Sequence, residues 1–241
     1  MKKVLSVMVV LAIMALPVVV MAEDLIGEAK ALLKQETLDS SKKALDLAVK
    51  AVQQQPQSYE ANWVVAKAYR FTGDLSKKAN VPNWKTICKD YGKKGMEYAE
   101  KAIALDPNKV DGHFWYACNV GTYSDGVSIL TALKEGLKDK TQKGFETSYK
   151  MDKMYNDAGP VLAIGRFWSV LPWPLNDKKK ALTYLEEFQK YFPNKPEGQV
   201  YLGQAYLDVS EKAKAKAVLE KAVASSDKYF SDMAKKMLED M

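Results

Sequence analysis

Near the C-terminus, three pairs of small or apolar residues stand 34 positions apart: Ala181 with Ala215, Leu185 with Leu219, and Phe188 with Ala222. The same register continues upstream. Ala44, Gly95, Ala181 and Ala215 open four segments; Ala48, Ala99, Leu185 and Leu219 follow four positions later. Ala51, Ala102, Phe188 and Ala222 come next, and Pro56, Pro107 and Pro193 close three of the segments. Ahead of each runs a second helical pattern, with a small residue (Ala66, Ala117, Gly165, Gly203) and, in three of them, a large ring three positions on (Tyr69, Trp168, Tyr206). A fixed period of this kind marks stacked helix pairs, each too small to bury its apolar face alone.

The pattern resembles the tetratricopeptide repeat (TPR), a 34-residue unit of two antiparallel helices with a small–large packing code. The resemblance implies an all-α fold, a right-handed TPR superhelix (α-solenoid) of antiparallel helix hairpins, running over residues 23–241. Two insertions interrupt it. From Ala66 to Ala117 is 51 residues, 17 more than one repeat, and the excess includes residues 76–92 between the helices of the second hairpin. The second insertion occupies about residues 121–150. Within it Val127, Leu130, Leu133 and Leu137 recur at helical spacing, which predicts an elongated or additional packed helix.

Lys2 and Lys3 precede an uncharged run from Val4 to Ala22, ending in Val20-Met21-Ala22 ahead of Glu23 and Asp24. This is the layout of a secretory signal peptide, residues 1–22, cleaved after Ala22, and it predicts a periplasmic protein. The alternative is an uncleaved N-terminal membrane anchor. No cysteine stands at the junction, so lipoprotein processing is not expected. Losing Lys2 and Lys3 lowers the formal charge from +6 to +4, too mild to argue for nucleic acid. Cys88 and Cys118, the two cysteines, either form one disulfide in an oxidising compartment or stay apart as small buried thiols.

A narrower resemblance rests on WYACNVGTYSDGVSILTALKEGLKDKTQKGFETSYKMDKMYNDAGPVLAIGRF, with DKKKALTYLEEFQKYFP and VYLGQAYLDVSEKAKAKAVLEKA behind it. From about Ala44 onward the chain is similar to the exported T component of TPR-associated TRAP transporters and to the regulator of microtubule dynamics family. The bacterial group implies an exported helical-repeat protein that self-assembles and works beside a periplasmic solute-binding protein.

In TPR arrays the first helix of each pair lines a concave groove. Carried onto this register, the groove positions are Glu60, Trp63, Lys67 and Arg70, then Asp111, Phe114, Cys118 and Gly121, then Gly159, Leu162, Arg166 and Ser169. The binding residues expected are Trp63, Lys67, Arg70, Phe114 and Arg166. Arg70 and Arg166 are the only arginines, and their guanidinium forks suit carboxylates, with aromatic neighbours adding buried area. An acidic peptide, a protein partner or a small organic acid follows as the ligand class. His113 stands where the repeat has an aromatic packing residue and is expected in the core. Tyr123-Ser124-Asp125-Gly126 reads as a turn carrying a helix cap.

Trp168 and Ala181 are 13 apart where the regular repeat has nine, so Leu171-Pro172-Trp173-Pro174 is a four-residue insertion. The prolines force an extended excursion before Asn176-Asp177 cap the next helix. Trp173 is expected to fold back onto the hairpin, with Lys178, Lys179 and Lys180 solvated; the alternative is that a partner or anion meets them. No nucleophile–base pair, phosphate loop or metal-ligand spacing is present, so no enzyme, cofactor or metal is expected. Cys118 and His113, five apart on a helix, point about 140° from one another.

Overall fold

The computed structural model describes residues 21–241. All but the last two residues of the expected signal peptide lie outside the described residues. Among those described there are only helices: α1 (21–33), α2 (Leu38–Gln54), α3 (Tyr59–Lys78), α4 (Trp84–Leu105), α5 (Val110–Gly126), α6 (Ile129–Lys134), α7 (Leu137–Asp152), α8 (Tyr155–Val170), α9 (Lys178–Tyr191), α10 (Pro196–Asp208), α11 (Lys212–Val223) and α12 (Lys228–Glu239). This is the all-α solenoid the period predicts. Packing divides the chain into two compact units that meet within α7, one ending at Gly144 and the other starting at Phe145.

Side-chain caps start several helices. Thr37 and Ser40 form a reciprocal capping box ahead of α2, Ser58 Oγ accepts from Ala61 N (3.2 Å), and Asp177 Oδ1 accepts from Lys180 N (3.0 Å). In the first unit, Ile26, Ala29 and Leu33 of α1 pack with Ala44, Ala48 and Ala51 of α2 and Val64, Val65 and Ala68 of α3. The alanine ladder lets the backbones approach, and the aliphatic side chains fill what remains. In the second unit the small–large code is explicit. Gly165 of α8 lies against the Leu185 side chain, and Gly203 of α10 lies in the same way against Leu219.

The 17 extra residues of the second hairpin do not form a loop. Ser76–Lys78 finish α3 and Trp84–Gly92 begin α4, leaving a turn at 79–83 in which Asn80 (φ 48°) and Asn83 (φ 61°) take the left-handed conformation that asparagine tolerates. At the junction of α4 and α5, Asn119 sits over Gly95, where a β-carbon would overlap its amide. Asn119 Nδ2 donates to Ala66 O (2.9 Å) and Trp115 O (2.8 Å), tying α3 to α5.

The insertion at 121–150 is helical as expected, in α6 and α7, but two details are corrected. Tyr123–Gly126 are the last turn of α5 rather than a turn of their own; Ser124 Oγ donates to Val120 O (2.8 Å), and Ser128 caps the next helix instead. The apolar stripe is not one packed face. Gly136 (φ 63°) ends α6 after six residues, and the stripe splits there. Leu137 turns inward on α7 at 2% exposure, while Leu130 and Leu133 are left 63% and 50% exposed.

Candidate functional site

On α3, Trp63, Lys67 and Phe71 follow one another at four-residue spacing along one stripe of the helix. Lys67 Nζ is held between rings from two helices, 5.4 Å from the centre of Phe71 and 5.1 Å from that of Trp115 on α5. The two rings lie 6.0 Å apart, and Phe114 meets Trp115 edge-on at 4.9 Å. Lys30 of α1 reaches over Trp63 at 5.7 Å and pairs with Glu60 at 2.7 Å. Tyr59 donates to Asp111 Oδ2 (3.0 Å) and accepts from Gly112 N (3.3 Å), joining the first turns of α3 and α5.

The electrostatics of Lys67 follow from this setting. Burial pulls its ammonium below the ordinary lysine value, and Lys30 and Lys34 nearby push the same way. Glu36, whose pull exceeds the push of Lys34, and Asp111 oppose that in part. Among the described residues no carboxylate lies within ion-pairing reach of it. The amine is thus a half-buried positive charge in contact with ring faces, with Lys30, Lys34, Glu36 and Asp111 acting on it without a direct ion pair.

The other predicted binding residues are placed differently. Arg70 Nη1 contacts Asp74 Oδ1 at 3.1 Å, and Lys78 reaches the second oxygen of the same carboxylate at 3.0 Å. Burial disfavours the charge on Arg70, but Asp74, Cys118 and Asp125 together more than offset it and hold the guanidinium protonated. Phe114 is 4% exposed and packs in the interior. Arg166 belongs to the second unit, where its guanidinium stacks 4.5 Å from the centre of Tyr201, whose hydroxyl donates to Glu197 (3.2 Å). Lys67 and Phe114 therefore meet at the Phe71–Trp115 rings, Trp63 lies one turn before Lys67 under Lys30, Arg70 one turn along in an ion-pair network, and Arg166 in the second unit. Trp115 belongs to the aromatic run Phe114-Trp115-Tyr116, of which the sequence requires at least one ring to face the groove or a neighbouring hairpin, whereas Phe71 and Lys30 carry no such expectation. Phe71 is signalled by its four-residue offset from Lys67, whereas Lys30 comes from a helix to which no groove position is assigned.

Cys88 and Cys118 are not joined in a disulfide. Cys88 Sγ donates to Gly73 O (3.4 Å) inside the first unit, and burial first, then Asp125, push its thiol up to about 11. His113 is not a core filler. Its Nε2 donates to Pro107 O at 2.9 Å, and the ring is partly exposed. Trp173 does not fold back onto the hairpin and is 85% exposed. Two of the three lysines beside it are engaged: Lys178 donates to Asp208 O (2.8 Å), and Lys180 lies 4.4 Å over Trp168. Among the described residues no three metal-ligating side chains gather, and no helix is long and apolar enough to cross a membrane.

The fold has well-matched neighbours among solved structures. TTC0263, a TPR protein of Thermus thermophilus, superposes with a TM-score of 0.66 at 17% identity, covering 90% of this chain and 99% of its own. PilF of Pseudomonas aeruginosa gives 0.58 at 13% identity, over 91% of this chain and 85% of its own. YrrB, a TPR protein described by its unusual peptide-binding site, gives 0.50 at 15% identity, over 88% and 90%. At these identities the likeness shows the fold alone. No curated protein matches the chain in sequence. The family model of regulator of microtubule dynamics protein 1-3 matches residues 25–157, more than half of the chain, which therefore belongs to that family.

Proposed function

We propose that this protein is a non-catalytic interaction module, exported to the periplasm, that holds an acidic segment of a protein partner on the α3–α5 face of its first unit. The observation that carries the reading is Lys67: a half-buried ammonium framed by Phe71 and Trp115 with no carboxylate in reach. A ligand carboxylate supplies the missing counter-charge, and Trp63 and Phe71 supply apolar contact beside it. The shared fold of YrrB, with its peptide-binding site, supports a peptide as the ligand form.

The test is binding of a fluorescein-labelled glutamate-rich dodecapeptide, followed by anisotropy, to wild type, Lys67→Met and Lys67→Glu. We expect at least a tenfold weaker affinity for Lys67→Met and no measurable binding for Lys67→Glu, each with unchanged circular dichroism. Equal affinity for all three sinks the assignment. The resemblance to transporter T components adds one candidate partner, a periplasmic solute-binding protein. Its co-purification with the tagged wild type from native periplasm, and its loss from Lys67→Glu, would identify it.

A further inference from the structure

Ile129, Leu130 and Leu133 are 65%, 63% and 50% exposed, three large aliphatic side chains gathered on one short helix. They occupy one face of α6 (successive positions at 0°, 100° and 40° around the axis by the roughly 100° step of a helix). The element is anchored beside that face, because Ala132 of α6 and Val127 just before it pack against Val120, Tyr123 and Leu137. α6 is thus a fixed apolar knob and not a frayed loop.

The charges around it are lopsided. Lys134, Lys140 and Lys143 are exposed and have no carboxylate partner among the described residues. At the start of α4, whose backbone lies against Gly126, Lys85 and Lys89 are exposed in the same way. Of the acidic side chains nearby, Asp90 beside Lys89 is exposed without an ion pair among the described residues, and the others make contacts. Glu135 accepts from the Tyr123 hydroxyl (3.3 Å), Asp139 contacts Lys138 (3.4 Å), and Asp125 pairs with Lys77 (2.7 Å). What remains outward is aliphatic on α6, with lysines outnumbering carboxylates on the segments beside it.

From this we infer that α6 docks the first unit onto an anionic lipid surface, with Ile129, Leu130 and Leu133 entering the headgroup–acyl boundary and the flanking lysines on the lipid phosphates. Size and shape select this occupant. Three side chains offer a few hundred Å² at most, well below the roughly 800 Å² that each partner brings to a stable protein interface. A projecting knob has no groove for a peptide either, whereas a fluid bilayer closes around it. Shallow apolar insertion backed by lysine attraction to anionic headgroups is sufficient for reversible docking.

The experiment is hydrogen exchange of the full chain, read by mass spectrometry, alone and with vesicles of phosphatidylglycerol or of phosphatidylcholine. Local readout separates α6 from the apolar residues 4–22. Peptides covering 127–137 are expected to slow roughly tenfold with phosphatidylglycerol vesicles, and about 1 M salt should relieve much of that slowing. Little change is expected with phosphatidylcholine. The triple variants Ile129→Ser/Leu130→Ser/Leu133→Ser and Lys134→Glu/Lys140→Glu/Lys143→Glu should lose the effect while keeping the wild-type circular dichroism. No slowing at 127–137, or slowing that survives in both variants, overturns the inference. Slowing without vesicles that grows with protein concentration also overturns it, and gives the surface to a second copy of the chain.

Discussion

The imidazole of His113 donates to the carbonyl oxygen of Pro107, six residues back, at 2.9 Å. Asn62 makes the same reach to Pro56 O at 3.0 Å, and Gln199 to Pro193 O at 2.8 Å. Each proline ends the second helix of one pair, and each donor stands in the first helix of the next. One imidazole and two carboxamides thus clasp one repeat to its successor.

Removing a clasp should therefore loosen a junction without altering either helix. Alanine at Asn62, His113 or Gln199 is expected to cost about 1 kcal/mol each in urea unfolding. Asn62 should show the largest loss, because its side chain is fully buried and also donates to Ser58 O (2.7 Å).

Two helical glycines should respond with opposite sign. Gly95→Ala forces a β-carbon into the Asn119 amide and is expected to destabilise by about 1 to 3 kcal/mol. A β-carbon at Gly121 meets nothing within 4 Å, so Gly121→Ala should stabilise by about 0.5 to 1 kcal/mol through helix propensity. Thermal melts of the two variants beside wild type decide this.

Arg70 and Lys67 should separate under mutation although one helical turn divides them. Arg70→Met leaves Asp74 with Lys78 alone and is expected to lower stability by about 1 kcal/mol, with peptide affinity little changed. Lys67→Met should do the reverse. Paired unfolding and anisotropy measurements test the contrast; equal binding losses would return Arg70 to the binding surface.

The second unit carries an acid-sensitive lock. Burial of Glu187 alone would raise its carboxyl, but Lys153 (3.0 Å), Tyr149 (3.1 Å) and Tyr191 (3.1 Å) donate to it and hold it below the usual value. A carboxylate depressed in the folded state stabilises fully above its unfolded value of about 4.3, and the gain disappears as pH falls through the lower folded value. Stability followed from pH 7 down to pH 3 should hold to about pH 5 and then decline. In Glu187→Gln the decline should be shallower, and an identical profile would remove the lock from the account.

What sequence could reveal depended on whether the governing contact was periodic. Gly165 with Leu185 and Gly203 with Leu219 belong to the repeat itself, so the register alone exposes them. Lys67 was legible as a position, but its ring partner Trp115 comes from the next repeat, and the commitment of Arg70 to Asp74 is a local choice that a groove template does not encode. Leu130 and Leu133 show the other limit. Helical spacing detects an apolar face yet carries no sign for core or solvent, and here Gly136 cut the stripe before it could turn inward. His113 followed a positional rule about ring size, whereas its nitrogen was what the site used.

Gly165 and Leu185 are 20 residues apart and Gly203 and Leu219 only 16, yet both pairs make the same close contact. The four additional residues, Leu171 to Pro174, are absorbed outside the helix interface. Connection length and hairpin geometry are thus uncoupled at this point of the chain. For protein engineering the Leu171–Leu175 connection is accordingly an insertion port, where an epitope or a tag can be grafted without retuning the solenoid around it.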